Sequence, residues 1–230
     1  MRFNYPSLCI DNFYSDPDKV REFALSQTFY ESDDGRWPGR RTEGLYDIDK
    51  TFFDLCTYKI LTLFYTEDEI KQGYTCDTMF QLIPPYDNVK DSSLNDGWIH
   101  YDEIAELAAI IYLTPNIDVN SGTSLFLPKK SKQFVSNDDH YLYKSLFYKH
   151  RVTNFFDNKT YSDAINYHND HFIEVSKYQN VYNRMICFDS KMWHKANSFF
   201  SENEPRLTQV FFFNITSDIQ KPLERNRKYL

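Results

Sequence analysis

The chain has 230 residues, 41% of them hydrophobic and 18% aromatic, with only 6 Gly and 9 Pro. This excludes general disorder and low-complexity architectures, and the length fits one domain with a substantial core. Lys and Arg number 26 against 33 Asp and Glu, a net charge of −7 that weighs against duplex nucleic acid as a partner.

In chain order, residues 7–13 read as a strand. Asp16-Pro17-Asp18 then supplies an N-cap with proline in the first helical position, and a helix is predicted to about Thr28. Residues 29–47 are polar around Trp37-Pro38-Gly39 and read as a loop. Helical spacing of Phe52, Phe53, Cys56, Ile60, Leu63 and Phe64 predicts a second helix over 49–65. From residue 75 the pattern changes to short strands: 75–84, 98–103, 107–114, 123–127, 184–188, 192–196 and 207–215. The stretch 84–97, with Pro84-Pro85 and Gly97, reads as an exposed loop, and 128–178 as an insertion with some helix. Two helices followed by many short strands predict a mainly β fold, a sandwich or barrel with helices packed outside. One domain over 1–230 is expected: an N-terminal strand and supporting helices over 7–70, and a core over 75–215.

No apolar run approaches the roughly 18 residues that cross a bilayer, and Met1-Arg2-Phe3-Asn4-Tyr5-Pro6 has no apolar signal core. A cytoplasmic location, the host's for a viral chain, is the expectation, with no membrane partner. The four cysteines, Cys9, Cys56, Cys76 and Cys187, are far apart and three sit among apolar residues, so free thiols are expected. The densest basic groups, Arg36/Arg40/Arg41 and Arg225/Arg227/Lys228, are small.

Trp98-Ile99-His100-Tyr101-Asp102 places an imidazole and a carboxylate two residues apart, which on a strand sends both to one face. His194 follows in a short strand 94 positions later. Beyond it, Pro205-Arg206-Leu207-Thr208 opens an apolar strand with Arg206 and Thr208 on one face. An arginine pointing inward among phenylalanines is costly unless it meets an anion, whether a structural acid or a ligand carboxylate. A rival metal pair is His168 and His171, three apart on a predicted helix. No third ligand lies near it in sequence.

Together these pieces resemble the Fe(II)/2-oxoglutarate-dependent dioxygenase superfamily: H-x-D, a distal His, then Arg-x-Thr about a dozen residues on. Gly122-Thr123-Ser124-Leu125-Phe126 resembles a turn and strand of prolyl-hydroxylase-like members. Asp11-Asn12-Phe13 with Trp37-Pro38-Gly39-Arg40-Arg41-Thr42 is similar to small bacterial and phage oxygenases. The resemblance implies a double-stranded β-helix (jelly-roll) core. It implies iron held by His100, Asp102 and His194, the facial arrangement of two imidazoles and one carboxylate. It further implies Arg206 and Thr208 on the distal carboxylate of 2-oxoglutarate, Tyr112 as a further donor to it, and O2 as co-reactant. Oxidative decarboxylation to succinate and carbon dioxide would then drive hydroxylation. An Asp at position 102 disfavours halogenation, which uses a small residue there. The likeness to prolyl hydroxylases tilts the substrate towards a peptide, protein or amino-acid side chain. A nucleobase or other small molecule, or a non-enzymatic jelly roll, remain alternatives, and oligomeric state is left open. Aromatics at Trp37, Tyr86, Phe134, Tyr141, Tyr143, Phe147 and Tyr148 are candidates for the mouth of the barrel.

Overall fold

A computed structural model describes residues 2–32, 35–129, 144–149, 157–215 and 219–228. The first half contains β1 (Leu8–Ile10), α1 (Pro17–Leu25), β2 (Tyr30–Glu31), β3 (Arg40–Arg41), α2 (Leu45–Ile48), α3 (Lys50–Leu61), α4 (Glu67–Ile70), β4 (Tyr74–Ile83) and β5 (Leu107–Tyr112). After β6 (Thr123–Pro128) come helical residues 144–149, here α5, then α6 (Asn158–Asn169) and β7 (Phe172–Tyr178). The chain ends with β8 (Met185–Asp189), β9 (Trp193–Ala196), β10 (Arg206–Ile215) and α7 (Pro222–Arg227).

Seven strands form one sheet in the order β1-β8-β5-β10-β4-β3-β2, and three form a second in the order β7-β6-β9. The pairings are antiparallel, and the large sheet is built on the ten-residue pairing of β10 with β4. The small sheet is extended by a single bridge between His100 and His194. This is a jelly roll with helices on one outer face.

The period-two alternation of the large sheet explains the layering. On β10, Leu207, Phe211 and Phe213 pack with Phe80 of β4, with Leu107, Ala109 and Ile111 of β5, and with the helical residues Ala24, Phe53, Cys56, Ile60 and Leu61. The alternate residues, Arg206, Thr208 and Val210, face a cavity on the other side with Gln81, Ile110 and Phe188. Asp16 caps α1 through the Lys19 amide at 3.2 Å, and Asp49 caps α3 through the Phe52 amide at 2.9 Å.

Three expectations change. Residues 29–47 are not all loop: β2, β3 and α2 lie there, and β3 pairs Arg40 with Leu82 and Arg41 with Gln81. The segment 128–178 is not all insertion, because β7 pairs with β6 along its whole length. The predicted strand at 98–103 shrinks to the bridge at His100, since the chain then turns so that the Asp102 amide reaches the Ser190 carbonyl at 2.9 Å. The C-terminal basic group is docked on the body, with Arg225 on Glu69 at 2.7 Å and Arg227 on the Phe3 carbonyl at 2.8 Å. The four cysteines are free thiols. No helix among the described residues is long and apolar enough to cross a membrane.

Candidate metal centre and co-substrate pocket

His100 and His194 are backbone neighbours. The His100 amide donates to the His194 carbonyl at 3.0 Å and the His194 amide returns the bond at 2.7 Å, the closed pair of an antiparallel ladder. This pair puts the two imidazole centroids 4.4 Å apart. Each Nδ1 lies on a carbonyl two residues upstream, His100 on Trp98 at 2.7 Å and His194 on Met192 at 2.8 Å. An Nδ1–H donated there leaves each Nε2 lone pair free, the tautomer that a metal needs.

Asp102 completes the group. Its carboxylate is 3.9 Å from His100 Nε2 and 3.4 Å from His194 Nε2. One ligand atom from each of the three residues lies within 4.8 Å of the others, and among the described residues this is the one cluster of metal-ligating side chains. Burial opposes ionisation of Asp102, but His194, Lys144 and His100 outweigh it and hold the carboxyl well below the usual range. Burial, with Lys144 and His194 nearby, pushes the His100 imidazole well below its ordinary value, so it stays neutral and able to ligate. Phe188 packs on His194 at 4.7 Å between centroids. Trp193 points away into a cluster with Ile99, Tyr101, Phe126 and Phe172.

Beside this centre is a cavity of about 590 Å³, lined by all three residues and by Arg206, Thr208, Thr123 and Gln81. Arg206 is only 3% exposed and Thr208 fully buried. Arg206 Nε and Nη2, and Thr208 Oγ1, are buried without a hydrogen-bond partner. Burial pulls the Arg206 guanidinium down from its ordinary value, so its charge is held at a cost that an anion in the cavity would offset. Its fork lies 5.4 Å from the Tyr112 ring, and the Tyr112 hydroxyl donates to Thr123 Oγ1 at 2.9 Å. The donor set fits the expected cofactors: two imidazoles and a carboxylate for a divalent metal, and a guanidinium with a hydroxyl for a dianionic acid.

The rival pair is engaged elsewhere. His168 Nε2 lies 2.8 Å from the Ile99 carbonyl with its ring stacked on Trp98 at 3.8 Å, and His171 Nδ1 lies 2.7 Å from the Tyr167 carbonyl. Of the aromatics expected at the mouth, Trp37 and Tyr148 line the cavity, whereas Tyr86 and Phe147 pack in a hydrophobic cluster. Phe134, Tyr141 and Tyr143 lie outside the described residues. After β9, the backbone N–H of Asn197 donates to the Gly122 carbonyl at 2.8 Å. Besides the exposed Arg36, the cavity holds two cations to which sequence reasoning gave no individual role, Arg41 and Lys144. The pairing of Arg41 with Gln81 would have exposed the first, but two-residue strands carry almost no periodic signal.

Residues 2–204 match the model of a family of unknown function, DUF6445. The chain belongs to that family. No curated protein matches its sequence. Among solved structures, HygX from Streptomyces hygroscopicus, with nickel, 2-oxoglutarate and hygromycin B bound, is similar with a TM-score of 0.55 at 12% identity, over 93% of this chain and 84% of HygX. EvdO2 from Micromonospora carbonacea var. aurantiaca gives 0.53 at 12% identity, over 94% and 89%. A prolyl hydroxylase from Trichoplax adhaerens, in complex with a hypoxia-inducible-factor peptide fragment, gives 0.51 at 13% identity, over 96% and 86%. This DUF6445 chain therefore has the fold of the Fe(II)/2-oxoglutarate oxygenases.

Proposed function

We propose that this DUF6445 chain is an Fe(II)- and 2-oxoglutarate-dependent oxygenase that hydroxylates a free or peptidyl amino-acid side chain. The observation that carries the reading is the set of orphaned donors, Arg206 Nε and Nη2 and Thr208 Oγ1, buried in the same cavity as His100, Asp102 and His194. A buried guanidinium with no acid beside it among the described residues calls for an anionic ligand.

His100 and His194 would hold iron through Nε2, with Asp102 as the charged third ligand. Arg206 would clamp the distal carboxylate of 2-oxoglutarate, Thr208 would donate to it, and Tyr112 would keep the guanidinium in place by lying against its face. Iron bound there supplies oxygen activation coupled to oxidation of the 2-oxo acid. Ile110, Phe188 and Val210 make the cavity wall apolar, which keeps bulk water from the reacting atoms. The amino-acid preference draws on the likeness to the prolyl hydroxylase that binds a peptide. HygX, which binds hygromycin B, shows that the same fold also takes small molecules.

Anaerobic titration of the Fe(II)-loaded protein with 2-oxoglutarate tests the reading. A weak visible charge-transfer band is expected, absent from His100→Ala and Asp102→Ala proteins. A wild-type protein without the band would sink the oxygenase assignment.

A further inference from the structure

The metal ligands and Arg206 do not account for all the charge in the cavity. Arg41, on β3, sits in one row across the large sheet with Gln81 on β4, Thr208 on β10 and Tyr112 on β5. It is therefore two strand spacings from Thr208, about 10 Å along the hydrogen-bonding direction. One guanidinium nitrogen of Arg41 donates to Gln81 Oε1 at 3.3 Å, while its Nε is buried without a partner. The group lies over the Trp37 ring at 4.8 Å and the Phe212 ring at 5.6 Å, so aromatic faces rather than a carboxylate hold it. No Asp or Glu forms an ion pair with it among the described residues.

Lys144, on α5, is the second cation. It is 8% exposed, and its Nζ is 4.0 Å from Asp102, the carboxylate already assigned to the metal. The remaining charged residues of the cavity lining, Asp77, Glu103 and Arg36, are exposed, and Glu103 already accepts from the Tyr101 hydroxyl. With iron on the triad and 2-oxoglutarate on Arg206, the charges of Asp102 and the co-substrate balance those of the metal and Arg206. Arg41 and Lys144 are left in excess.

We propose that the substrate of this site carries an anionic oxygen group, a carboxylate or phosphate, held by Arg41 and Lys144 apart from the co-substrate. The inference rests on the oxygenase reading only in naming that group as part of the substrate. The anion subsite itself is a property of Arg41, Lys144 and Gln81. An arginine stacked between aromatic rings, with a nitrogen free, is oriented for a fork-like pair with a planar carboxylate, and the lysine adds a point charge suited equally to phosphate. A free amino acid, which brings its own carboxylate, fits better than an internal residue of a peptide.

Trp37 provides the readout, because an anion on Arg41 alters the field at the stacked indole. Full-length protein loaded with nickel(II) and saturated with 2-oxoglutarate is titrated in separate arms with acetate, inorganic phosphate and N-acetylglycine, with N-acetylglycine amide as the neutral control. Tryptophan fluorescence should change with at least one anion and not with the amide, and the change should vanish in Trp37→Phe. In Arg41→Met and in Lys144→Met the apparent affinity should fall about tenfold, as loss of one charged hydrogen-bond partner implies. The arms tell carboxylate from phosphate. No anion-dependent change, equal response to the amide, or a change that survives both substitutions overturns the proposal. So does a large loss of 2-oxoglutarate affinity in Arg41→Met, which would assign Arg41 to the co-substrate. Titration of nickel-loaded Arg206→Met with 2-oxoglutarate separates the two readings. Failure of the oxygenase assignment appears as unchanged 2-oxoglutarate affinity in that variant, whatever Arg41 does.

Discussion

On the proposed reading, the two unpaired nitrogens of Arg206 would make co-substrate binding depend on the shape of the group as well as its charge. Arg206→Met should leave metal affinity unchanged and weaken 2-oxoglutarate binding by roughly 2 kcal/mol, about thirtyfold, as a charged bidentate pair is lost. Arg206→Lys should recover only part of this, because an ammonium cannot present two parallel donors. Calorimetric titration of the metal-loaded variants with 2-oxoglutarate checks both. This residue was legible in the sequence: Arg206 and Thr208 are two apart in an apolar strand, so one face had to bury a cation. The His100–Asp102 pair was legible for a related reason, though Asp102 reaches the cluster from a turn rather than a strand. Arg41 and Lys144 were not legible. Arg41 stands in a polar stretch, and only pairing with a strand some forty residues away brings it into the cavity, while Lys144 stands in sequence among Leu142, Tyr143, Leu146 and Phe147, whose aromatic pattern gives no sign of a buried charge.

At the scale of elements, the centre depends on how closely β9 approaches the segment before His100. A Cβ on Gly97 would lie 2.3 Å from the Ala196 carbonyl oxygen and 2.9 Å from its nitrogen, both backbone atoms. Gly97→Ala must therefore move β9 away from residues 97–100 and loosen the pairing of the two histidines. Nickel(II) affinity should fall about tenfold or more with the circular dichroism spectrum unchanged, the order of loss seen when supports of metal ligands are altered. Gly44→Ala, where the nearest atom is the movable Asp47 carboxylate at 3.6 Å, should leave it unchanged. Within the large sheet, β1, β4, β5, β8 and β10 were legible because their apolar residues alternate or run continuously. β7 was not, since Ile173 and Val175 are 54% and 45% exposed and its sequence lacks a buried period. Likewise, two-residue β2 and β3 exist only through their partners.

At the scale of the whole molecule, acid should be destabilising through histidines that fold neutral. Burial lowers His168 to about 4 against the opposing hydrogen bond to Ile99. A depressed imidazole binds its proton more readily in the unfolded chain. Stability is therefore full above the unfolded value near 6.5 and declines as pH falls towards 4, by at most about 3 kcal/mol for this group. His100 and Asp102, both depressed, act in the same direction. Urea unfolding at pH 7 and pH 4.5 should show a smaller loss in His168→Phe, which keeps the stack on Trp98 without a titrating ring. An equal loss in both proteins would contradict this account.

The backbone bonds between His100 and His194 have a further consequence. They hold the imidazoles side by side through the sheet itself, with each ring also pinned at Nδ1, so the donors stand ready before any ion arrives. A frame so held does little to choose its ion by reshaping. Nitrogen and oxygen donors of this kind bind copper and zinc more tightly than ferrous iron. On the proposed reading, which metal occupies the centre would then be decided by what the surroundings supply, and the site would be open to poisoning by traces of the stronger competitors.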